Sequence, residues 1–293
     1  MARESRPLVF LGTPSAAADI LRAIHAAGFP VAHVISRPDA RRGRGAATSP
    51  SPVKQVALEL GIGVSHDLSW FDDHRDLVAL GIVVAYGRII PADVLGRCPM
   101  INVHFSLLPR WRGAAPVERA ILAGDDTTGV CIMDLEETLD TGPVRACAEV
   151  AIHQDHTTAT LTADLAAEGA RLLVGELSRG LSAPVAQSGT PTYAHKIEPA
   201  ENRIDWGAAN IDVHRRIRAL RAHTLVDGTR LKVLSATIVD TVVEGPPGTC
   251  GADAVVATGD GALRLEIVQP EGKRAMAAID WMRGRSPGGA RFE

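Results

Sequence analysis

Along the first 180 residues, short apolar runs alternate with segments of helical periodicity: Leu8–Leu11, then Ala16–Ala27, then Val31–Ile35, then Pro52–Leu60. This alternation predicts βαβ units and a largely parallel sheet, an α/β architecture. Ser51 before Pro52 reads as an N-cap followed by a first-turn proline, and Gly61 as the helix stop. Further strands are expected at Ile82–Ala85, Met100–His104, Gly129–Met133 and Val144–Ile152. Helices are expected over Pro116–Ala123, stopped by Gly124, and over Thr158–Leu177. Between Ser182 and Thr192 the composition shifts to Ser, Ala, Pro, Gly, Gln and Thr, as in a linker. Beyond it the pattern changes to one helix, Asp212–Ala222, and short β-type runs at Leu231–Val239, Ala254–Ala257 and Leu263–Val268. Their Gly and Pro turns predict a small OB-like β-barrel. The expected division is an α/β domain over 1–181, a linker over 182–195 and a barrel domain over 196–293.

At 293 residues the chain is comfortable for two domains. With 46% hydrophobic and 22% charged residues it has the composition of an ordinary soluble globular protein. No apolar run reaches the roughly 18 residues that a spanning helix needs, so no membrane contact is expected. The stretch opening at Leu8 is too short for the apolar region of a signal peptide, which predicts a cytoplasmic protein. Cys98, Cys131, Cys147 and Cys250 show no paired spacing and are expected to be reduced thiols. No cluster of His, Cys, Asp and Glu has metal-ligand spacing, so no metal is expected. Gly12-Thr-Pro-Ser15 offers one glycine where a dinucleotide site wants Gly-x-Gly-x-x-Gly, so neither is NAD.

The stretch Asn102-Val-His-Phe-Ser-Leu-Leu-Pro-Arg110 carries the most chemistry. It places two neutral hydrogen-bonding side chains, Asn102 and His104, two residues apart at the end of an apolar strand, on one face. The turn that follows leaves the sheet where open α/β folds place their sites. Taken singly, Asn102 and His104 also read as strand-end polar residues, and Asp140 as a turn residue beside Gly142. Ser106 lacks the Gly-x-Ser-x-Gly elbow and reads as a turn or ligand contact, not a nucleophile.

A net charge of −3 argues against a uniformly basic nucleic-acid binder, so contact with RNA must come from local patches. Arg37, Arg41, Arg42 and Arg44 crowd a Gly- and Pro-punctuated loop with Lys54 just beyond, a natural phosphate contact or simply a solvated loop. On the helix near 212–222, Val213, Ile217 and Leu220 define an apolar stripe, and Arg215, Arg218 and Arg221 fall mainly off it. That face fits RNA phosphates and plain solvent exposure about equally.

Asn102–Arg110, continued by Trp111-Arg-Gly-Ala-Ala-Pro116 and by Leu139-Asp-Thr-Gly142, resembles the folate-dependent formyltransferases. The resemblance implies a Rossmann-like catalytic domain followed by an OB-like domain that binds tRNA. It implies transfer of the formyl group of 10-formyltetrahydrofolate to the amino group of initiator methionyl-tRNA, by a monomer. Such transfer passes through a tetrahedral intermediate whose oxygen gains negative charge and needs donors, which the Asn102 amide and a His104 ring N–H supply. By the same resemblance Asp140 lies close to the imidazole, where a carboxylate favours the imidazolium and helps take up the amine's proton. Ser106, Leu107, Leu108 and Pro109 then border the folate site, and Ala85, Tyr86 and Gly87 line the pterin pocket with backbone groups. The stretches 37–45 and 50–54 match the loop that meets the tRNA acceptor stem, Arg44 matching the arginine used there. Two alternatives stay open: a formyltransferase for a small amine, such as an amino sugar or hydroxylated amino acid, which needs neither basic loop nor barrel, and a non-enzymatic RNA- or folate-binding homologue.

Overall fold

The computed structural model describes residues 7–41, 48–74, 77–285 and 289–293. Two compact units emerge: residues 1–116, 127–151 and 160–195 form the first, and residues 117–126, 152–159 and 196–293 the second.

In the first unit the strands are β1 (Leu8–Gly12), β2 (Val31–Ile35), β3 (Gly63–Ser65), β4 (Leu80–Val84), β5 (Met100–His104), β6 (Arg112–Gly113), β7 (Thr127–Asp134), β8 (Val144–Ala151) and β9 (Tyr193–Ala194), beside a short antiparallel pair at Ala40–Arg41 and Thr48–Ser49. Its main helices are α1 (Ser15–Ala26), α2 (Pro52–Glu59) and α3 (Thr158–Arg179). One seven-stranded sheet runs in the order β8-β7-β5-β4-β1-β2-β3. β1 to β5 pair in parallel, and β7 and β8 add an antiparallel edge. β1 and β4 are wholly buried, as continuous apolar runs in a sheet covered on both faces should be. Chain order reverses beside β1, which opens a crevice at the carboxyl ends of β1, β4 and β5. The expected N-cap is present, the Ser51 hydroxyl accepting from the Lys54 N–H at 3.0 Å.

The second unit holds α4 (Asn210–Ala219), α5 (Ala278–Arg283) and an antiparallel sheet. Its strands are β10 (His223–Val226), β11 (Thr229–Val239), β12 (Thr249–Cys250), β13 (Val255–Ala257), β14 (Ala262–Pro270), β15 (Met276–Ala277) and β16 (Ala290–Arg291). The path β10-β11-β14-β13-β12-β16, with β15 beside β14, curls into a nearly closed barrel around Ile204, Trp206, Leu231, Val256, Leu265 and Phe292. α4 ends at Ala219, three residues short of the expected Ala222. Leu220 is extended and the Arg221 N–H turns to the Asn202 side chain.

The expectation about the cysteines is corrected. Cys131 and Cys147 form a disulfide, with Cα atoms 4.2 Å apart, and are not free thiols. They sit directly opposite each other on the β7–β8 ladder, a pairing that sequence spacing alone does not reveal. The stretch expected as a linker, 182–195, makes pairings of its own. Val185 bridges Val144 and β9 pairs with β6, so backbone groups of this stretch are hydrogen-bonded to neighbouring segments. Among the described residues no helix is long and apolar enough to cross a membrane.

Candidate active site

Three strand ends meet at the crevice. β1 ends at Gly12, and the next hydroxyl, Thr13 Oγ1, donates to the Tyr86 carbonyl at 3.3 Å, tying it to the end of β4. Beyond β4, Ala85 (φ 45°) and Gly87 (φ 77°) adopt left-handed backbone on either side of Tyr86. Both are exposed while Tyr86 is 2% exposed, so this turn offers main-chain groups outward and an aromatic anchor inward. Burial pushes the Tyr86 phenol above its ordinary pKa.

β5 delivers Asn102 and His104. Asn102 is half-buried and its amide makes no hydrogen bond among the described residues. His104 is buried with its ring fully engaged. Nε2 lies 3.0 Å from the Trp111 carbonyl, and Nδ1 lies 3.7 Å from Asp140 Oδ2. A carbonyl only accepts, so Nε2 donates its proton to Trp111 while Nδ1 faces the Asp140 carboxylate. Asp140 is itself buried and its Oδ2 accepts the Gly113 N–H at 2.8 Å.

The loop after β5 holds itself in place. Buried Ser106 donates to the Arg110 carbonyl at 2.6 Å, and the Arg110 N–H returns to the Leu107 carbonyl at 3.0 Å. Leu107, Leu108 and Pro109 are half-buried. Leu107 lies so close over Gly129 that a Cβ at 129 would sit 2.5 Å from its methyl. Asp140 adopts φ 52°, a left-handed conformation that aspartate tolerates better than most residues.

The structure thus brings together Asn102, His104, Asp140, Ser106 to Pro109 and Ala85 to Gly87 at one end of the sheet. Of the basic residues, Arg37 is exposed just beyond β2, with its guanidinium near Gly87. Arg41 pairs through its backbone with Thr48, and Arg42 and Arg44 lie outside the described residues. Lys54 forms a 2.8 Å ion pair with Asp39. In the second unit Arg215 pairs with Asp212 at 3.2 Å. Arg218 is half-buried and donates to the carbonyls of His153 and His156 at 3.3 and 2.8 Å, so part of that helix face is spent on its own fold.

Sequence reasoning missed three contributors. The Trp111 carbonyl holds the imidazole, and the Thr192 hydroxyl accepts the Trp111 N–H at 2.9 Å. Gln187 donates to the carbonyls of Asp140 and Gly142 at 2.9 and 2.8 Å while accepting from Arg112. A lone amide in a Ser-, Pro- and Gly-rich stretch carries no periodicity or motif that would single it out.

Comparison with known proteins matches the same two regions. Residues 6–177 match the formyl transferase family, and residues 196–286 match the formyl transferase C-terminal domain. A methionyl-tRNA formyltransferase of Methylococcus capsulatus is 43% identical over 97% of this chain and 99% of its own length. That of Roseobacter denitrificans is 44% identical over 94% of this chain and 95% of its own. Among solved structures, an N-formyltransferase from Helicobacter canadensis, in complex with folinic acid and dTDP-3-aminofucose, has a TM-score of 0.67 at 17% identity. The match covers 90% of this chain and 98% of that one. HypX from Aquifex aeolicus, in complex with tetrahydrofolic acid, also has a TM-score of 0.67 at 17% identity, covering 94% of this chain and 46% of that one. At these identities the two structures share the fold.

Proposed function

This chain belongs to the formyl transferase family, and from that premise we propose that it transfers the formyl group of 10-formyltetrahydrofolate to the amino group of initiator methionyl-tRNA. The observation that carries this choice of acceptor is the likeness to methionyl-tRNA formyltransferases along nearly the whole chain, barrel included. The catalytic core alone would serve any amine.

The bound folate supplies the one-carbon acyl group; the chain's own residues hold it, take up charge and move the proton. The outward backbone of Ala85 and Gly87, anchored by the inward ring of Tyr86, and the half-buried Leu107, Leu108 and Pro109 make a cleft wall of apolar surface with main-chain polar groups, which suits a flat heteroaromatic ring. Ser106 shapes that wall through its bond to Arg110. Asn102, whose amide makes no other hydrogen bond among the described residues, donates to the oxygen that gains negative charge as the formyl carbon is attacked. Nε2 of His104 is committed to Trp111, so the imidazole serves best as the proton acceptor. A proton taken from the attacking amine at Nδ1 completes an ion pair with Asp140 in a buried setting, and as the bond from the formyl carbon to the folate nitrogen breaks, that nitrogen takes up a proton and leaves as tetrahydrofolate.

Catalysis is assigned to residues 1–181, with residues 182–195 joining them to an acceptor-binding domain over 196–293. The arginines at 37, 41, 42 and 44 contact the acceptor stem, Arg44 foremost, while Arg215 and Arg218 supply a weaker basic face. The enzyme acts as a monomer in the cytoplasm. The test is transfer of labelled formyl from 10-formyltetrahydrofolate to methionyl-tRNA, beside uncharged tRNA and a panel of small amines. Product on the charged tRNA alone is expected. Product on a small amine alone would move the enzyme to another acceptor class, and no product on any amine would overturn the enzymatic reading.

A further inference from the structure

We propose that Gln187 is a positioning residue for Asp140, and that the stretch 182–195 belongs to the catalytic scaffold. The inference rests on the reading of Asp140 as the partner of His104 in formyl transfer.

Of residues 182–190, Gln187 alone is not exposed. Its amide is used to capacity. The two Nε2 protons go to the Asp140 and Gly142 carbonyls, and Oε1 accepts Arg112 Nε at 3.0 Å and Nη2 at 2.7 Å. These partners stand on both sides of the Asp140 carboxylate. The carbonyl bonds fix the left-handed turn that carries it, with its backbone φ of 52°. The Arg112 bonds fix β6, whose next residue, Gly113, gives its N–H to Asp140 Oδ2. One side chain therefore sets both the base of the carboxylate and the donor that orients it toward His104 Nδ1.

The rest of the stretch braces the same loop. Thr192 accepts the Trp111 N–H on its hydroxyl and the Arg112 N–H on its carbonyl at 2.9 Å each. β9 pairs with β6 in register, Tyr193 with Arg112 and Ala194 with Gly113. A Cβ at Gly113 would lie 2.7 Å from the Ala194 carbonyl oxygen, so the two backbones meet at a distance only glycine allows. A tether needs no such fit.

The test uses the full chain with Gln187→Glu and Gln187→Met, each alone and combined with Asp140→Asn. Gln187→Glu keeps the acceptors for Arg112 and removes both donors; Gln187→Met removes donors and acceptors without adding charge. In both single variants kcat should fall on the order of 10- to 100-fold, while KM for the formyl donor and for methionyl-tRNA stays within about twofold. In the Asp140→Asn background, single-turnover rates should not fall further when Gln187 is changed, because the group it positions is already gone. Wild-type kcat in both Gln187 variants beside a crippled Asp140→Asn would overturn this proposal and leave the catalytic reading standing. An equal fold-loss in the Asp140→Asn background, or a loss confined to KM, would also overturn it. Wild-type activity in Asp140→Asn would remove the catalytic reading itself and this proposal with it.

Discussion

Replacing Asp140 by asparagine isolates charge from shape. Asparagine tolerates the left-handed backbone at φ 52°, and its side-chain oxygen can still accept the Gly113 N–H that Asp140 takes at 2.8 Å. What disappears is the attraction between a carboxylate and an imidazolium 3.7 Å away, both groups being only 6% exposed. With an effective dielectric constant of about 20, Coulomb's law gives roughly 4–5 kcal/mol at that separation. At about 1.4 kcal/mol per factor of ten this corresponds to a loss of roughly 10³-fold in kcat. The assay is formylation of methionyl-tRNA under saturating 10-formyltetrahydrofolate, with thermal unfolding measured in parallel to show an intact fold. A variant that melts like the wild type and keeps kcat within tenfold would refute the argument, because the buried charge would then contribute nothing to the reaction.

Asn102→Ala should lower kcat by about 10²- to 10³-fold, as loss of one oxyanion donor does, with little change in melting temperature; an unchanged kcat would remove its donor role. Gly142→Ala would place a Cβ 1.9 Å from the Asp134 carbonyl oxygen, so urea unfolding should show destabilisation of about 2–4 kcal/mol together with loss of activity. The Cys131–Cys147 bridge spans 16 residues of sequence and should contribute about 3 kcal/mol, read as a drop in the urea midpoint on reduction. Cys147 is exposed, so an alkylating reagent should mark it only after a reductant is added. Glu201 is held below the usual carboxylate pKa chiefly by hydrogen bonds from Arg119, at 2.6 and 2.9 Å. That stability is present above the ordinary pKa and fades as pH falls through the lowered one. Glu201→Gln should therefore cost up to about 1 kcal/mol at pH 7, with the difference from wild type shrinking below about pH 4.5 in a melting series.

The elements most legible in the sequence were those that bury a continuous apolar run or a one-sided stripe. Leu8–Gly12 could be read because a buried strand leaves no polar interruptions, and α2 because Ser51-Pro52 punctuates it. Asn102, His104 and the turn to Pro109 were visible because they are contiguous and interrupt an apolar pattern with unusual chemistry. Gly63–Ser65 was not visible, since a three-residue edge strand has too few positions to show alternation. The Cys131–Cys147 pairing depends on strand register, a tertiary fact. Gln187 and Thr192 escaped because their hydrogen bonds reach partners far away in sequence. The hold of Trp111 on His104 escaped as well, since a main-chain carbonyl has no signature in any residue type.

The bracing of the Asp140 and Trp111 loops by residues 187–194 has a consequence for the order in which the protein comes into being. The strands of the first sheet all lie before residue 152, so a nascent chain carries a complete set of sheet-forming segments while Gln187 and Thr192 are still unmade. The partners these two residues secure were synthesised 47 and 81 positions earlier. On the ribosome, then, the scaffold precedes the catalyst: a peptide interrupted between 152 and 186 holds every strand of the sheet yet lacks the clasp that aims its carboxylate.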